Sequence, residues 1–236
     1  MSQRFRTTNW SLVLAAGRDS TPHAREALSN LCESYWHPLY AYIRRQGYDV
    51  DEACDLTQGY FTRLLEKEYL NQVEPKAGRF RSFLLTTLKH FLANEWNKAH
   101  ASKRGGNQTL ISLDTGTAEQ RYRIEPADEL TPEKLFERRW TLTVLERVLD
   151  RLSAEFSRAG KSEQFEQLSP YLTGDGPQIP YKKVADRLGV DEGSVKVGVH
   201  RLRRRFGKLL QEEVAHTVSS DDQIDREIRH LLSGIA

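Results

Sequence analysis

The chain has 236 residues, of which 38% are hydrophobic and 29% charged, and its formal net charge is +2. This composition is polar for a single globule and favours small helical domains with much surface for their volume. No apolar run approaches the ~20 residues that cross a bilayer, and residues 1–17 hold too short an apolar stretch for a signal peptide, so a cytoplasmic protein without membrane insertion is expected.

The two cysteines, Cys32 and Cys54, have neither a CxxC spacing nor a neighbouring histidine cluster. This pattern argues against a metal site or a disulfide framework and favours buried free thiols. The sequence therefore predicts no metal and no cofactor.

Basic residues are concentrated in two segments. Residues 76–104 contain seven basic residues and one acid, and residues 181–210 contain nine and three, so that each segment has a local net charge of +6. The stretches before and between them are acidic. Two separated basic patches predict a polyanion that is held at two places, because neutralised phosphates release counterions. Ordinary solvated helix faces are the alternative for either patch alone.

Apolar residues recur at helical spacing through the first part of the chain. Thr21 and Pro22 predict the N-cap and first turn of a helix. Pro38 is expected to interrupt this helix, and a second helix then ends at Gly47.

Two further helices are predicted before a linker. Asp49 or Asp51 can cap the first of these. After a break at residues 73–78, the 3.6-residue period continues as one long helix from Arg79 to about Lys103. The segment that follows lacks periodicity and is rich in Thr, Gly, Asp and Glu, as expected of a linker.

The second half of the chain is also helical in pattern. Residues 131–133 (TPE) are a helix start, and a short helix is expected over residues 162–168. Pro180 opens a compact pair of helices, with the turn at Gly189 and with Asp191 as the N-cap of the second helix. No stretch alternates with the period of a strand.

The last segment, residues 218–236, places Ile224, Ile228, Leu231 and Leu232 at helical spacing. This pattern predicts an amphipathic helix that packs on the second domain or on a partner. Packing within the chain is favoured, because a single short helix gains stability mainly by burying one face. A regulatory role is the alternative.

The C-terminal pair of helices has the pattern of a helix-turn-helix. The start of the second helix would enter the major groove and its basic remainder would contact phosphates. An ordinary helical hairpin with a charged surface is the alternative. The predicted duplex-binding residues are Lys182, Ser194, Lys196, Val197, His200, Arg201, Arg203 and Arg204.

The long helix after Arg79 interleaves cations with aromatic and amide side chains. This combination suits single-stranded DNA, because bases stack on rings and amides contact exposed base edges. Most aromatic residues at this spacing, such as Phe80, Phe83 and Phe91, are expected in the core. The predicted residues at the melted strand are Arg79, Arg81, Asn94, Trp96, Asn97, Lys98, Lys103 and Arg104.

Two regions of the chain resemble the extracytoplasmic-function sigma factors, which belong to the sigma-70 family. Residues 181–196 (YKKVADRLGVDEGSVK) and 199–206 (VHRLRRRF) resemble region four, and residues 55–61 (DLTQGYF) and 78–95 (GRFRSFLLTTLKHFLANE) resemble region two. The resemblance implies a subunit that binds core RNA polymerase, recognises promoter DNA and assists its melting.

The resemblance also implies specific partners. Region two would bind the minus-ten element and the clamp helices of the beta-prime subunit, and region four would bind the minus-thirty-five element and the beta flap. An anti-sigma factor or another regulator is a further implied partner. The implied polymerase-binding residues are Asp55, Leu56, Gln58 and Phe61, of which Phe61 is alternatively a core residue.

Two places depart from the family pattern. Gly59 stands where the family usually has an acid, and Val197 with Gly198 stands where it often has Ser-Arg. The usual contact at Gly59 and the usual promoter preference are therefore not transferred to this chain.

The sequence as a whole predicts an all-α protein with two small helical domains joined by a flexible linker, the second containing the helix-turn-helix. The predicted parts are residues 1–104, the linker 105–130, residues 131–217 and the extension 218–236. No HExxH, P-loop, GxSxG or GxGxxG motif is present, so no enzyme and no catalytic residues are predicted. The alternative function is a stand-alone helix-turn-helix regulator that acts without polymerase.

Overall fold

The computed structural model describes residues 22–65, 80–101, 130–172, 179–218 and 220–233, with side chains for all of these except residues 22–33, 65 and 99–101. The described residues contain helices and no strand, which confirms the all-α prediction. No helix in these ranges is long and apolar enough to cross a membrane. The helices are α1 (Pro22–Arg45), α2 (Val50–Leu65), α3 (Phe80–Ala101), α4 (Pro132–Arg158), α5 (Ser162–Leu168), α6 (Tyr181–Leu188), α7 (Glu192–Ala215) and α8 (Ile224–Ser233).

Contacts between residues group the chain into two units. One comprises residues 1–142 and 215–236, and the other comprises residues 143–214. Residues 130–142 and 215–233 therefore join the first unit, whereas the sequence pattern placed them elsewhere. The predicted domain bounds stay a prediction, and most of the predicted linker lies outside the described residues.

The first helix, α1, continues through Pro38, so the predicted interruption there is wrong. A proline inside a helix removes one backbone hydrogen bond and costs about 3 kcal/mol. The residues around it compensate, because Tyr35, Leu39, Tyr40 and Ile43 are all buried. Each buried side chain of this size stabilises the fold by roughly 1.5–3 kcal/mol, so tertiary packing outweighs the local preference.

Local signals position the starts of α2 and α4 as predicted. The backbone N–H of Glu52 donates to Asp49 Oδ1 at 2.8 Å, and the backbone N–H of Asp49 donates to Glu52 Oε2 at 3.3 Å. This reciprocal pair is a capping box, which selects Asp49 over Asp51 as the cap. At the start of α4 the Lys134 N–H donates to the Thr131 hydroxyl at 3.3 Å. The Thr21 cap lies outside the described residues.

The core of the first unit is aromatic. The Tyr35 ring of α1 lies 5.3 Å from the Phe80 ring of α3, and it stacks on Phe136 and Trp140 of α4 at 6.4 and 6.0 Å between ring centroids. Cys54 is a buried thiol that takes part in no disulfide, as predicted. The first turns of α4 are therefore part of the same core as α1 and α3.

The second unit is built on the apolar face of α7. Val195, Val199, Leu202 and Leu209 are buried, as their spacing predicted, together with Val184 of α6. Ion pairs then join α7 to α4 within this unit: Arg151 Nη2 lies 2.8 Å from Glu212 Oε2, and Arg205 Nε donates to Glu155 Oε2 at 2.7 Å. This packing leaves the opposite face of α7 to solvent.

The C-terminal segment forms the predicted helix, α8, and it belongs to the first unit. Leu231 and Glu227 are buried, whereas Leu232 is exposed. The backbone N–H of Phe80 donates to the Thr217 carbonyl at 3.2 Å, just before α8. The helix thus packs within the chain, as favoured above, but with the first unit rather than the second.

Candidate nucleic-acid interface

The turn between α6 and α7 depends on Gly189. Its φ and ψ are 64° and 33°, in the left-handed region, and its N–H donates to the Ala185 carbonyl. The Val190 N–H also donates to this carbonyl, at 3.1 Å. A glycine in the left-handed conformation ends a helix at low steric cost. The chain therefore leaves α6 and enters α7 within three residues, as the sequence predicted.

The predicted cap of α7 is present at Asp191. Its Oδ1 accepts from the Ser194 N–H at 2.9 Å, and its Oδ2 accepts from the Ser194 hydroxyl at 2.5 Å. These hydrogen bonds hold the pKa of the Asp191 carboxyl below its usual range. The Ser194 side chain, predicted to contact bases, is exposed but hydrogen-bonded within the chain.

The next two predicted base contacts differ in their surroundings. Lys196 Nζ lies 2.9 Å from Glu192 Oε1 and 6.0 Å from the centroid of the Tyr181 ring. Val197 is 49% exposed. The lysine head is thus held by an acid on its own helix, whereas the valine presents an apolar surface to solvent.

One exposed face of α7 carries most of the basic side chains of this helix that remain open to solvent. Val197, His200, Arg201, Arg204 and Lys208 follow one another at spacings of three, one, three and four residues, which places them on one side of a helix opposite the buried face. In the described part of the chain no hydrogen bond or ion pair engages the side chains of three cations on this face, Arg201, Arg204 and Lys208. We call these three residues the basic row.

Lys208 was not among the predicted site residues, although its position seven residues after Arg201 puts it on the same face.

The three arginines at positions 203–205 differ in their contacts, because Arg204 belongs to the basic row whereas Arg203 and Arg205 are bonded to other residues of the chain. Arg203 donates to the Tyr171 carbonyl from Nε at 3.0 Å and from Nη2 at 2.7 Å, while remaining exposed. Arg205 pairs with Glu155. Lys182 of α6, another predicted duplex contact, is exposed.

Gly198 has a packing role. A Cβ atom at this position would lie 3.0 Å from Leu168 Cδ1, so α7 approaches α5 closely there. A side chain at 198 would point towards α5 rather than along the basic row. The glycine at this position is therefore explained by the close packing of α7 on α5.

The last turns of α3 carry a second polar and aromatic surface. Trp96 is 56% exposed, and Asn94, Asn97 and Lys98 are exposed as well. Lys98 Nζ lies 2.9 Å from Glu95 Oε1. Four of the predicted single-strand residues are therefore exposed in the last turns of α3, on more than one side of the helix. Arg79, Lys103 and Arg104 lie outside the described residues.

Arg81 differs from the other residues predicted to meet the melted strand. It is 2% exposed, it pairs with Glu227 and Glu137, and its guanidinium carbon lies 4.9 Å from the centroid of the Trp140 ring. In this conformation Arg81 has no surface to offer to a phosphate. Its role in the described structure is to hold α3, α4 and α8 together, so we leave it out of the proposed DNA surface.

The predicted polymerase contacts on α2 are only partly accessible. Asp55 is exposed, Leu56 and Gln58 are half-buried, and Phe61 is 7% exposed and stacks on Trp36 at 5.7 Å. Phe61 is therefore a core residue in this structure. A Cβ atom on Gly59 would lie 3.4 Å from the Phe91 ring, so this position faces α3.

Comparison with known proteins yields no relative: no protein-family model, curated protein or solved structure matches the chain. The functional interpretation therefore depends on the residues and geometry described above.

Proposed function

We propose that the chain is a sigma factor of the extracytoplasmic-function type, which binds core RNA polymerase, recognises promoter DNA and assists its melting. The sequence resemblance suggests this function, and the observation that carries it is the basic row on α7. Arg201, Arg204 and Lys208 are exposed, and no partner holds them in the described part of the chain. Cations in this arrangement suit a phosphate backbone.

In this proposal α6 and α7 are a helix-turn-helix that binds the duplex at the minus-thirty-five element. The turn at Gly189 and the cap at Asp191 support it, since they set α7 directly after a short first helix. The first turns of α7 would enter the major groove while the basic row contacts phosphates. Contact with the beta flap of polymerase belongs to the same unit in the proposal.

The first unit would bind the minus-ten element and polymerase. Trp96 offers an exposed ring on which a flipped base can stack, and the exposed Asn94 and Asn97 in the same turns of α3 offer amide donors and acceptors. On α2, Asp51 and Asp55 are exposed one helical turn apart. Their carboxylates support docking on a basic surface, for which we propose the clamp helices of the beta-prime subunit.

A stand-alone transcriptional regulator is the second candidate. The observation in its favour is that the basic row lies entirely on one helix of one unit, so that duplex binding by this unit needs no polymerase. Such a regulator would bind a palindromic duplex as a dimer. The exposed single-strand surface on α3 has no use in that function.

Transcription in vitro tests the choice. A promoter library would be incubated with bacterial core RNA polymerase, with or without the chain, and the transcripts would be sequenced. We expect start sites that require the chain and that are lost with the triple variant Arg201→Ala, Arg204→Ala, Lys208→Ala. Lys161→Ala removes an exposed lysine of the same unit outside the row and is the matched control.

Two results would overturn the proposal. If the library yields no transcript that depends on the chain, the sigma-factor function is lost. If the chain alone binds a palindromic duplex as a dimer and does not associate with core polymerase, the stand-alone regulator replaces it.

A further inference from the structure

In the first two turns of α7, one exposed side chain forms no hydrogen bond or ion pair. Asp191 and Ser194 hydrogen-bond to each other, and Lys196 pairs with Glu192. The other positions offer no polar side chain: Gly193 and Gly198 have none, and Val195 is buried. Among these residues, Val197 is the one whose side chain is exposed and forms neither a hydrogen bond nor an ion pair. The Ser194 hydroxyl proton and the Lys196 ammonium are thus already engaged by acids of the chain, whereas an apolar contact from Val197 competes with no such interaction.

We propose that Val197 contacts the C5-methyl group of a thymine in the major groove. This inference rests on the proposed function, since it presupposes that α7 enters duplex DNA. Thymine is the base whose major-groove edge carries a methyl group, and apolar side chains contact it. An exposed apolar side chain therefore selects thymine over the other bases at one position of the duplex.

The charges around Val197 fit this placement. Arg201 and Arg204 follow it by four and seven residues on the same face, where they can contact phosphates. Asp191 and Glu192 precede it, and their carboxylates repel phosphates. The acidic start of α7 is thus kept from the DNA backbone and the cationic later turns are attracted to it. Val197 lies between the two, towards the base edges.

A uracil scan tests the contact. A duplex would first be selected from a random library, in one arm with the full chain and in another with the chain and bacterial core RNA polymerase. Each thymine of the selected duplex is then replaced in turn by deoxyuridine, which lacks the C5-methyl group and keeps the hydrogen-bonding edge. We expect one position at which the change weakens binding about fourfold, because a buried methyl group contributes roughly 0.8 kcal/mol and 1.4 kcal/mol is tenfold.

The variant Val197→Ala should bind the thymine and uracil duplexes at that position with nearly equal affinity. Val197→Thr keeps one methyl group and should retain part of the difference. Val190→Ala, which shortens an exposed valine in the preceding turn, is the matched control and should keep the fourfold difference. Thermal unfolding of each variant checks that the fold is intact.

Three results would overturn the inference. If the chain binds the selected duplex and tolerates uracil at every position, the methyl contact is absent while the proposed function stands. If Val190→Ala abolishes the difference and Val197→Ala does not, the contact belongs to Val190. If neither arm selects a duplex, the proposed function and this inference fail together.

Discussion

The guanidinium of Arg81, at the start of α3, is ion-paired with the carboxylate of Glu227 in α8, 146 residues later in the sequence. Arg81 Nε lies 2.9 Å from Glu227 Oε1, and Nη2 donates to Oε2 at 3.4 Å. The two side chains are 2% and 1% exposed. Glu137 of α4 contacts the same guanidinium, so that a single buried cation joins three helices of the first unit.

Glu227→Gln should destabilise the first unit. Arg81 would keep Glu137 but lose its buried partner Glu227, so we expect a cost of up to about 3 kcal/mol, the lower end of what an uncompensated buried charge costs. Chemical unfolding followed by circular dichroism would measure the change. Arg226→Gln, an exposed neighbour on α8, should have little effect. The double variant Arg81→Met, Glu227→Leu removes both charges and should recover much of the lost stability. If the Glu227→Gln variant is as stable as the native chain, the pair contributes nothing to stability.

Deletion of residues 218–236 should lower the unfolding temperature. It removes the buried Val218 and Leu231 together with the partner of Arg81. Each buried apolar side chain of this size contributes roughly 1.5–3 kcal/mol, so a cooperative loss is expected. Calorimetry would detect it, and a deletion of residues 234–236 is the control. An unchanged unfolding temperature of the shortened chain would contradict the packing role of α8. If its activity in transcription is also unchanged, a regulatory role of this segment is excluded too.

Arg204→Ala should weaken DNA binding by a similar factor for all sequences. A contact to phosphate contributes without regard to base, and its loss reduces the salt slope of log K by roughly 0.9. Arg205→Ala removes a neighbouring arginine that pairs with Glu155, and it should lower stability without changing the slope. Fluorescence anisotropy over a range of salt concentrations would compare the two. A slope that changes with Arg205 and not with Arg204 would contradict the assignment of the basic row.

Trp96→Ala should weaken binding to a melted promoter. Stacking of a base on an aromatic ring contributes about 1–3 kcal/mol, which corresponds to a loss of roughly 5- to 150-fold in affinity. The measurement is binding of the chain with core polymerase to a duplex that has an unpaired bubble at the minus-ten position. Trp96→Phe keeps a ring and should retain most of the affinity. Native affinity of the alanine variant would exclude Trp96 from the single-strand surface.

The Glu155–Arg205 pair predicts an acid-dependent stability. Hydrogen bonds from Arg205 hold the pKa of Glu155 below its ordinary value of about 4.5. A lowered pKa means that the pair stabilises the fold above about pH 4.5, and that this contribution is lost as the pH falls through the lowered value. Glu155→Gln should therefore show a shallower fall in the free energy of unfolding between pH 5 and 3. Arg205→Gln should reduce the pH dependence of the free energy of unfolding in the same way. If both variants lose stability between pH 5 and 3 as the native chain does, the Glu155–Arg205 pair does not cause this dependence.

Several features of the fold were predictable because neighbouring residues determine them. The caps at Asp49, Thr131 and Asp191 and the bounds of α5 follow from interactions within about four residues. Two residues of the basic row, Arg201 and Arg204, were predicted for the same reason, since helical spacing separates them from the buried face, whereas Lys208 was not predicted. Spacing alone, however, did not separate Arg203 from Arg204.

The tertiary structure decided the features that depend on distant residues. Arg81 lies in a basic segment of the sequence, and only its contacts with Glu227 and Glu137, which are distant in the chain, make it part of a buried ion pair. Pro38 remains inside a helix because the aromatic core forms around it. Arg203 is held by the Tyr171 carbonyl, 32 residues away. The sequence by itself determined helices, caps and the position of charge, because these are local properties, whereas long-range packing decided which charges remain available to a partner.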